Sequence, residues 1–532
     1  MDFSLLYPNG EIKMKNNLFY NELGLNKALY INERRVFGAF SNENPLDRYL
    51  TEDYDTITYR LDITDDFLNI PELCDVINEA IIKISDVTSI TKRTSDSNRT
   101  ESMLYSICEI ELYTTCIDYL HNAFQAFDNK IKSKGLKTFI EVIDNLYFSA
   151  EYKDLKSNST EISSEIRSIK SINIGINLSA QLQPTEAGII SINTEKFRSG
   201  DLIDRLLRGD ILENKLDCLT PLVPIMKGIS KEKVEALTYS LLNGIDDIFK
   251  NSIKKWQPII KKYIMIKTDF LTNLLPELSF YTSCTELLKK LKEKDLPLCK
   301  PKLFPKEDKV FKINGLYNPL VAIKTEAPMV LNDFSFDENG QIYVLTGANR
   351  GGKSVFTYAV GIAQIMLQLG LYIPAYNAEI SPVDNILTHF PVTDEIAGEG
   401  RLGDECVRLS KIFDNVTKYS LVLMDETMSS TGSYEGSYIA GEVLTGFSIA
   451  ECRCIFTTHL HELASNVDAL NEKNLKMGAH GKIDTLIVGV VDEERSFKIY
   501  RLKPEGISHA MSIAEKYGIT ADKLKEKIEA IK

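Results

Sequence analysis

The chain has 532 residues and a mass of 60.1 kDa, with 44% hydrophobic and 26% charged residues. These are the proportions of an ordinary soluble globular protein, and at ~150 residues per domain they predict roughly three domains. The formal charge of -13, from 62 basic and 75 acidic side chains, argues against coating of nucleic acid by the whole surface while leaving room for a local basic face. Met-Asp-Phe-Ser at the start carries no basic stretch before an apolar run, which argues against a secretory leader. Nine scattered cysteines without paired Cys-x-x-Cys spacing read as reduced thiols of a cytoplasmic protein.

Residues 1 to 45 are mixed and turn-rich (Pro8-Asn9-Gly10, Ser41 to Pro45) and form a small N-terminal element without an assigned role. From Pro71 the pattern is helical, with Leu73, Val76, Ile77, Ala80, Ile81 and Ile84 recurring at three and four. A second helix follows through Met103, Ile110, Tyr113, Ile117, Leu120, Phe124 and Phe127, the spacing of a packed bundle helix. Between Ser171 and Phe197 the period falls to two, with Ile172, Ile174, Ile176 and Leu178 alternating against Asn173, Gly175 and Asn177, which predicts a short strand insertion. Helical pattern returns from Lys231 to Lys294, with kinks or breaks expected at Pro258 and Pro276. Residues 250 to 312 hold 15 lysines against 7 acidic residues. Such a face is commonly plain solvated surface, yet its contrast with the acidic remainder makes it the candidate surface for nucleic acid or a protein partner.

Past Pro305 strand, glycine loop and helix alternate, the signature of an α/β domain with a largely parallel sheet. Val355 to Ala378 contains no charged residue. Gln364, Gln368, Gly370 and Pro374 interrupt it, and it follows a glycine-rich loop, so it reads as a buried helix ending near Leu371 and not as a membrane span.

The strand Ile342 to Thr346 leads into Gly347-Ala348-Asn349-Arg350-Gly351-Gly352-Lys353-Ser354, a match to GxxxxGK[ST] with a helix behind it. Glycines let backbone N–H groups close around phosphates, Lys353 reaches them, and the Ser354 hydroxyl can ligate Mg²⁺. A second apolar strand, Leu421 to Met424, ends in Asp425-Glu426. Paired carboxylates after a strand are often surface punctuation, but behind a P-loop they suit a metal ligand, Asp425, and a residue that polarises the attacking water, Glu426. A third, Cys454 to Thr458, delivers His459 where a γ-phosphate sensor sits in an ABC-type ATPase. His461 receives no role.

The runs TGANRGGKS (346–354), YSLVLMDE (419–426), TGSYEG (431–436), FTTHLHELAS (456–465) and RLKPEGISHAMSIAEKYGI (501–519) closely resemble the ATPase domain of the MutS family. YRLDITDDFLNIPEL (59–73) looks like the start of that family's helical core and lever domains, and SFYTSCTELLKKLKEKDLPLCKP (279–301) like the return to the ATPase. The resemblance implies a multidomain chain: the element 1–45, an α-helical core and lever region over 46–305 with the insertion near 171–197, and an α/β ABC-type P-loop ATPase and dimerisation domain over 306–532. It also implies ATP and Mg²⁺ as ligands, Asn349 in the phosphate-binding and catalytic group, and a homodimer in which a signature segment completes the partner's site. That segment falls at Gly400 to Glu405, where Glu405 matches and Gly400 replaces the usual serine. Met428-Ser429-Ser430 stands where the family often has Gly-Arg-Gly.

About 45 residues precede the lever-like segment, too few for the family's separate mismatch-recognition domain with its Phe-x-Glu wedge, and Phe19-Tyr20-Asn21-Glu22 has the wrong spacing. No appended nuclease-like domain is expected after the last ATPase helix. The expected function is a DNA-binding ATPase that switches a dimeric clamp on duplex or branched DNA in repair or recombination, without membrane contact and without conventional mismatch selectivity. The alternative is a nucleotide-gated protein scaffold that does not bind DNA.

Overall fold

The computed structural model describes residues 3–8, 20–25, 29, 46, 49–91, 99–127, 129–168, 170–182, 184–197, 256–259, 263, 269–347, 350–391, 401–428, 432–491, 494–503, 518–519 and 521–529. Ala348, Asn349, Gly400, Ser429, Ser430 and the lysines at 250, 254, 255, 261 and 262 lie outside the described residues, as does most of the stretch 1–45.

The helical half opens with α1 (Tyr54–Asn69), capped by Asp53, whose carboxylate accepts the Thr56 N–H at 2.9 Å. Its buried face includes Thr56, Arg60, Thr64 and Asp66, so the sequence shows no clean apolar stripe there. The helical region starts at Tyr54 and not at Pro71. The recurring apolar positions then form α2 (Pro71–Thr91) and α3 (Arg99–Phe124), the latter closed by a 3-10 turn at Gln125–Phe127. After α4 (Lys134–Phe148) and α5 (Ala150–Ser168), β1 (Ser171–Leu178) and β2 (Pro184–Asn193) pair as the antiparallel hairpin that the period-two stretch predicts. α6 (Asp269–Glu293) runs through Pro276 without a break. Burial of Leu274, Leu275, Leu278 and Phe280 around the proline offsets the one backbone hydrogen bond it removes. Pro258 lies inside the short helical stretch 256–259.

The remainder alternates strand and helix: β3 (Lys302–Leu303), β4 (Phe311–Leu316), α7 (Pro319–Lys324), β5 (Asn332–Phe336), β6 (Ile342–Thr346), α8 (Lys353–Leu369), β7 (Asn377–Ile380), β8 (Ile386–His389), α9 (Arg401–Phe413), β9 (Leu421–Met424), α10 (Ser433–Ala450), β10 (Arg453–Thr457), α11 (His461–Ser465), α12 (Val467–Lys476), β11 (Ile483–Val491), β12 (Glu494–Tyr500) and α13 (Ala521–Glu529). Six strands form one sheet in the order β12-β11-β6-β10-β9-β8, parallel except for β12 at the edge; β3, β7, β4 and β5 form a second.

The uncharged run is α8, buried from Phe356 onward except for Tyr358. Its two glutamines bond internally: Gln364 Nε2 donates to the Ser381 carbonyl at 3.1 Å, while its buried Oε1 has no partner, and Gln368 Nε2 donates to Val383 at 3.0 Å and Thr51 at 3.2 Å. Among the described residues no helix is long and apolar enough to cross a membrane. Cys74, Cys116, Cys284, Cys299, Cys406, Cys452 and Cys454 are free thiols.

One continuous apolar core runs from Leu5 to Ile499 and includes both halves. The C-terminal end of α8 sits on α1, where the Thr64 hydroxyl donates to the Gly370 carbonyl at 2.8 Å. Gly370 has φ 76°, and a side chain there would run into Arg60. Residues of the N-terminal segment are part of this joint. Arg60, fully buried, donates to the Leu6 carbonyl at 2.8 Å and to that of Tyr49, and Glu277 of α6 accepts from Ser4 Oγ at 2.8 Å and the Leu5 N–H at 2.6 Å.

Candidate functional site

The strand order brings the three sequence signals together. β6, β10 and β9 are adjacent and parallel, so the P-loop, His459 and the Asp425-Glu426 pair all leave the same C-terminal edge of the sheet. The loop after β6 is held in an unusual backbone path: Gly347 has φ 139° and lies against Val488 of β11, where an added Cβ would come within 3.0 Å. Arg350 also has positive φ, at 58°. Lys353, at the first position of α8, is buried and its Nζ donates to the Gly347 carbonyl at 2.8 Å, closing the loop on itself. Burial lowers the Lys353 ammonium from its ordinary range, opposed by the Glu426 and Asp425 carboxylates. Phosphate oxygens are natural replacements for a carbonyl that holds such a lysine.

Asp425 is 5% exposed, and its Oδ1 has no hydrogen-bond partner. Burial raises its carboxyl from the usual range, while the Ser354 hydroxyl beside it acts in the opposite direction. A buried carboxylate oxygen without a donor, next to a serine hydroxyl at a helix start, fits Mg²⁺, which takes one or two protein oxygens and fills its octahedron with water and phosphate. Glu426 is more open, and its Oε1 lies 3.1 Å from His459 Nε2, whose N–H it can accept. Glu426 and Met428 both have positive φ, at 51° and 62°. Left-handed non-glycine residues on both sides of Thr427 mark a strained turn directly after Asp425.

A cavity of about 360 Å³ opens from the P-loop. Arg350, Lys353, Ser354 and Glu426 are among its charged and polar lining, and Tyr317, Met329 and Phe497 among its apolar lining. Such a lining suits a phosphate chain joined to a planar base. α7 and the following loop supply the apolar side, and Asn318, which caps α7, also donates to the Val355 carbonyl of α8 at 3.2 Å. Sequence reading does not find this wall, because its residues are ordinary core types with no spacing of their own. It also misses His461, whose Nδ1 lies 3.2 Å from Thr346 Oγ1 at the root of the P-loop. Burial lowers the His461 imidazole, and His459 and Lys353 add to the effect.

The structure thus brings together Gly347, Arg350, Gly351, Gly352, Lys353, Ser354, Asp425, Glu426 and His459. Ala348, Asn349 and Gly400 are not described. Glu405 lies on α9 and does not line the cavity of its own chain.

Two family models and several curated proteins match the chain. Residues 343–523 match the family model described as MutS domain V, and residues 52–294 match the MutS2 N-terminal domain. The DNA mismatch repair protein MutS of Clostridium perfringens is 26% identical over 448 residues, 76% of this chain and 46% of that protein. The protein of the same name from Prochlorococcus marinus is 37% identical over 171 residues, 31% of this chain and 19% of that protein. A probable DNA mismatch repair protein Msh6 of Drosophila melanogaster is 34% identical over 183 residues, 34% of this chain and 15% of its own. The chain therefore spans less than half the length of these relatives. Helical half and nucleotide-site half each match a MutS-type domain in the same chain, and this protein belongs to the MutS family.

Proposed function

We propose that the chain is a Mg²⁺-dependent ATPase of the ABC type whose nucleotide state sets the geometry of a dimeric clamp on DNA, with residues 46–305 as core and lever and 306–532 as ATPase and dimerisation domain. The observation that carries this reading is the shared strand edge, with buried Lys353, Asp425 with its unpartnered oxygen, and the Glu426–His459 pair gathered around one cavity. In this reading Lys353 and the P-loop N–H groups, Asn349 among them, bind the phosphates, and Ser354 and Asp425 hold Mg²⁺, which when bound neutralises phosphate charge. Glu426 orients and deprotonates the attacking water, and His459 holds Glu426 and meets the γ-phosphate. Gly400 to Glu405 of the second copy closes the site. Free thiols at seven of the described cysteines, Cys74, Cys116, Cys284, Cys299, Cys406, Cys452 and Cys454, support a cytoplasmic location.

DNA contact is proposed without mismatch selectivity. The described part holds two Phe-x-Glu triplets, Phe139-Ile140-Glu141 and Phe336-Asp337-Glu338, whose phenylalanines are 0% and 7% exposed and so unavailable for stacking on a base. The lysine-rich stretch is the candidate DNA face, but much of its described part is internally engaged: Lys294 with Glu326, Lys300 with Asp62, Lys302 with Glu379 and Lys306 with Glu52. The DNA-facing charge is therefore assigned to the lysines between 250 and 267. The same pairing favours, as a second reading, a nucleotide-gated scaffold that binds protein and not DNA.

The nucleotide assignment is tested with Lys353→Ala. Loss of tight ATP binding or of hydrolysis is expected, and parental hydrolysis in that variant would remove the P-loop from the account.

A further inference from the structure

The N-terminal stretch, for which sequence reading finds no role, reaches the nucleotide half of the molecule at a defined point. Its 3-10 turn Tyr20–Leu23 presents Glu22 to the C-terminal end of β8. Oε2 accepts the Phe390 N–H at 3.2 Å, and Oε1 accepts Nη2 of Arg408 at 2.8 Å. Arg408 lies on α9 and donates Nη1 back to the Phe390 carbonyl at 2.9 Å. A carboxylate, a strand end and a helix are thereby closed into one ring of charge-assisted hydrogen bonds. Leu23, 1% exposed, seats the turn in the core against Gly361 of α8, where an added Cβ would come within 2.8 Å of its side chain.

Both partners of this ring adjoin residues of the proposed nucleotide site. Arg408 stands three residues, about one turn, beyond Glu405 on the helix that opens with the signature segment. Next to Phe390, the His389 carbonyl accepts the Asp425 N–H at 3.0 Å, so the strand end that Glu22 grips also backs the metal-site carboxylate. Burial raises the Glu22 carboxyl and Arg408 opposes it, as for a carboxylate retained for its partner.

We propose that Glu22 is a positioning residue, a latch in the N-terminal segment that holds α9, and with it the signature segment, at the angle required to complete the nucleotide site of a second copy. The proposal rests on the nucleotide-site reading above. It adds to that reading a device in cis that serves the site in trans.

The test uses the full chain with Glu22→Ala, Glu22→Gln and Arg408→Ala, measuring ATP binding, KM, kcat and the thermal midpoint, and then mixing Glu22→Ala with Lys353→Ala. ATP binding within about twofold of the parent and a kcat lowered about tenfold are expected for Glu22→Ala and Arg408→Ala, the scale of effect that small misplacement produces. Mixing should restore hydrolysis several-fold above the sum of the two variants alone, because one site of the mixed dimer combines an intact Lys353 with an α9 that is still latched. A destabilised subunit gains nothing from mixing. If Glu22→Ala does not fold, Glu22→Gln, which keeps the size and one acceptor, or Arg408→Ala takes its place in both measurements. Parental kcat in Glu22→Ala and Arg408→Ala, or a loss that mixing leaves unchanged, would overturn the latch. Parental hydrolysis by Lys353→Ala alone would instead remove the nucleotide-site reading on which it rests.

Discussion

Glu426 and His459 follow two neighbouring strands and lie 3.1 Å apart, and in the proposed ATPase the hydrolysis rate depends on this contact. Glu426→Gln keeps the shape and removes the base. Hydrolysis is expected to fall by roughly two or more orders of magnitude while ATP binding persists, which single-turnover kinetics and a nucleotide-binding titration together check. Binding lost along with hydrolysis would move Glu426 to a structural duty. His389 carries a pH dependence of its own. It is 3% exposed, and burial, with Arg408 adding, lowers it from an ordinary 6.5 to about 4. The folded state disfavours its protonation, so the associated stability is complete above the unfolded value and is lost as pH falls through about 4. Urea denaturation at pH 7.5 and pH 4.5 should show His389→Gln losing less stability on acidification than the parent, by on the order of 2 kcal/mol; equal losses would contradict a neutral buried imidazole. Lys353, Asp425 and Glu426 are legible in the sequence because phosphate and metal chemistry fixes their types and their place after strands. His461 and Glu22 are not, because their partners lie 115 and 368 residues away and nothing local announces the contact.

Among the elements, the joint of α1 with the end of α8 ties the helical half to the nucleotide helix. Gly370 makes it possible, since φ 76° and the closeness of Arg60 leave no space for a side chain. Gly370→Ala is expected to cost about 2–4 kcal/mol from backbone strain and overpacking together, read as a lower denaturation midpoint. Parental stability would mean that the joint yields easily. The hairpin and α8 follow from their sequence patterns, period two in one and an uncharged run behind a P-loop in the other. α1 does not, because polar residues with internal partners occupy its buried face and remove the apolar period. At Pro276 local propensity predicts a kink or a break, and packing of the leucines around it keeps the helix continuous.

For the whole molecule, the change of style near residue 305 marks where elements alternate, but it does not mark a gap in packing, since one core spans both halves and takes in Leu5 and Leu23 from the N-terminal stretch. The proposed link between nucleotide state and arm geometry would then run through packed side chains. With a chain charge of -13, contact with DNA has to be local, and affinity should fall clearly with salt and differ little between matched and singly mismatched duplexes. The most direct measurement is equilibrium binding of a fluorescent duplex to the parent and to Lys353→Ala, with and without ATP and Mg²⁺, across rising salt. The expected result is binding that weakens with salt and that ATP shifts several-fold in the parent but not in Lys353→Ala. Absent or salt-independent binding, or an ATP effect that survives loss of Lys353, would contradict a nucleotide-switched clamp on DNA.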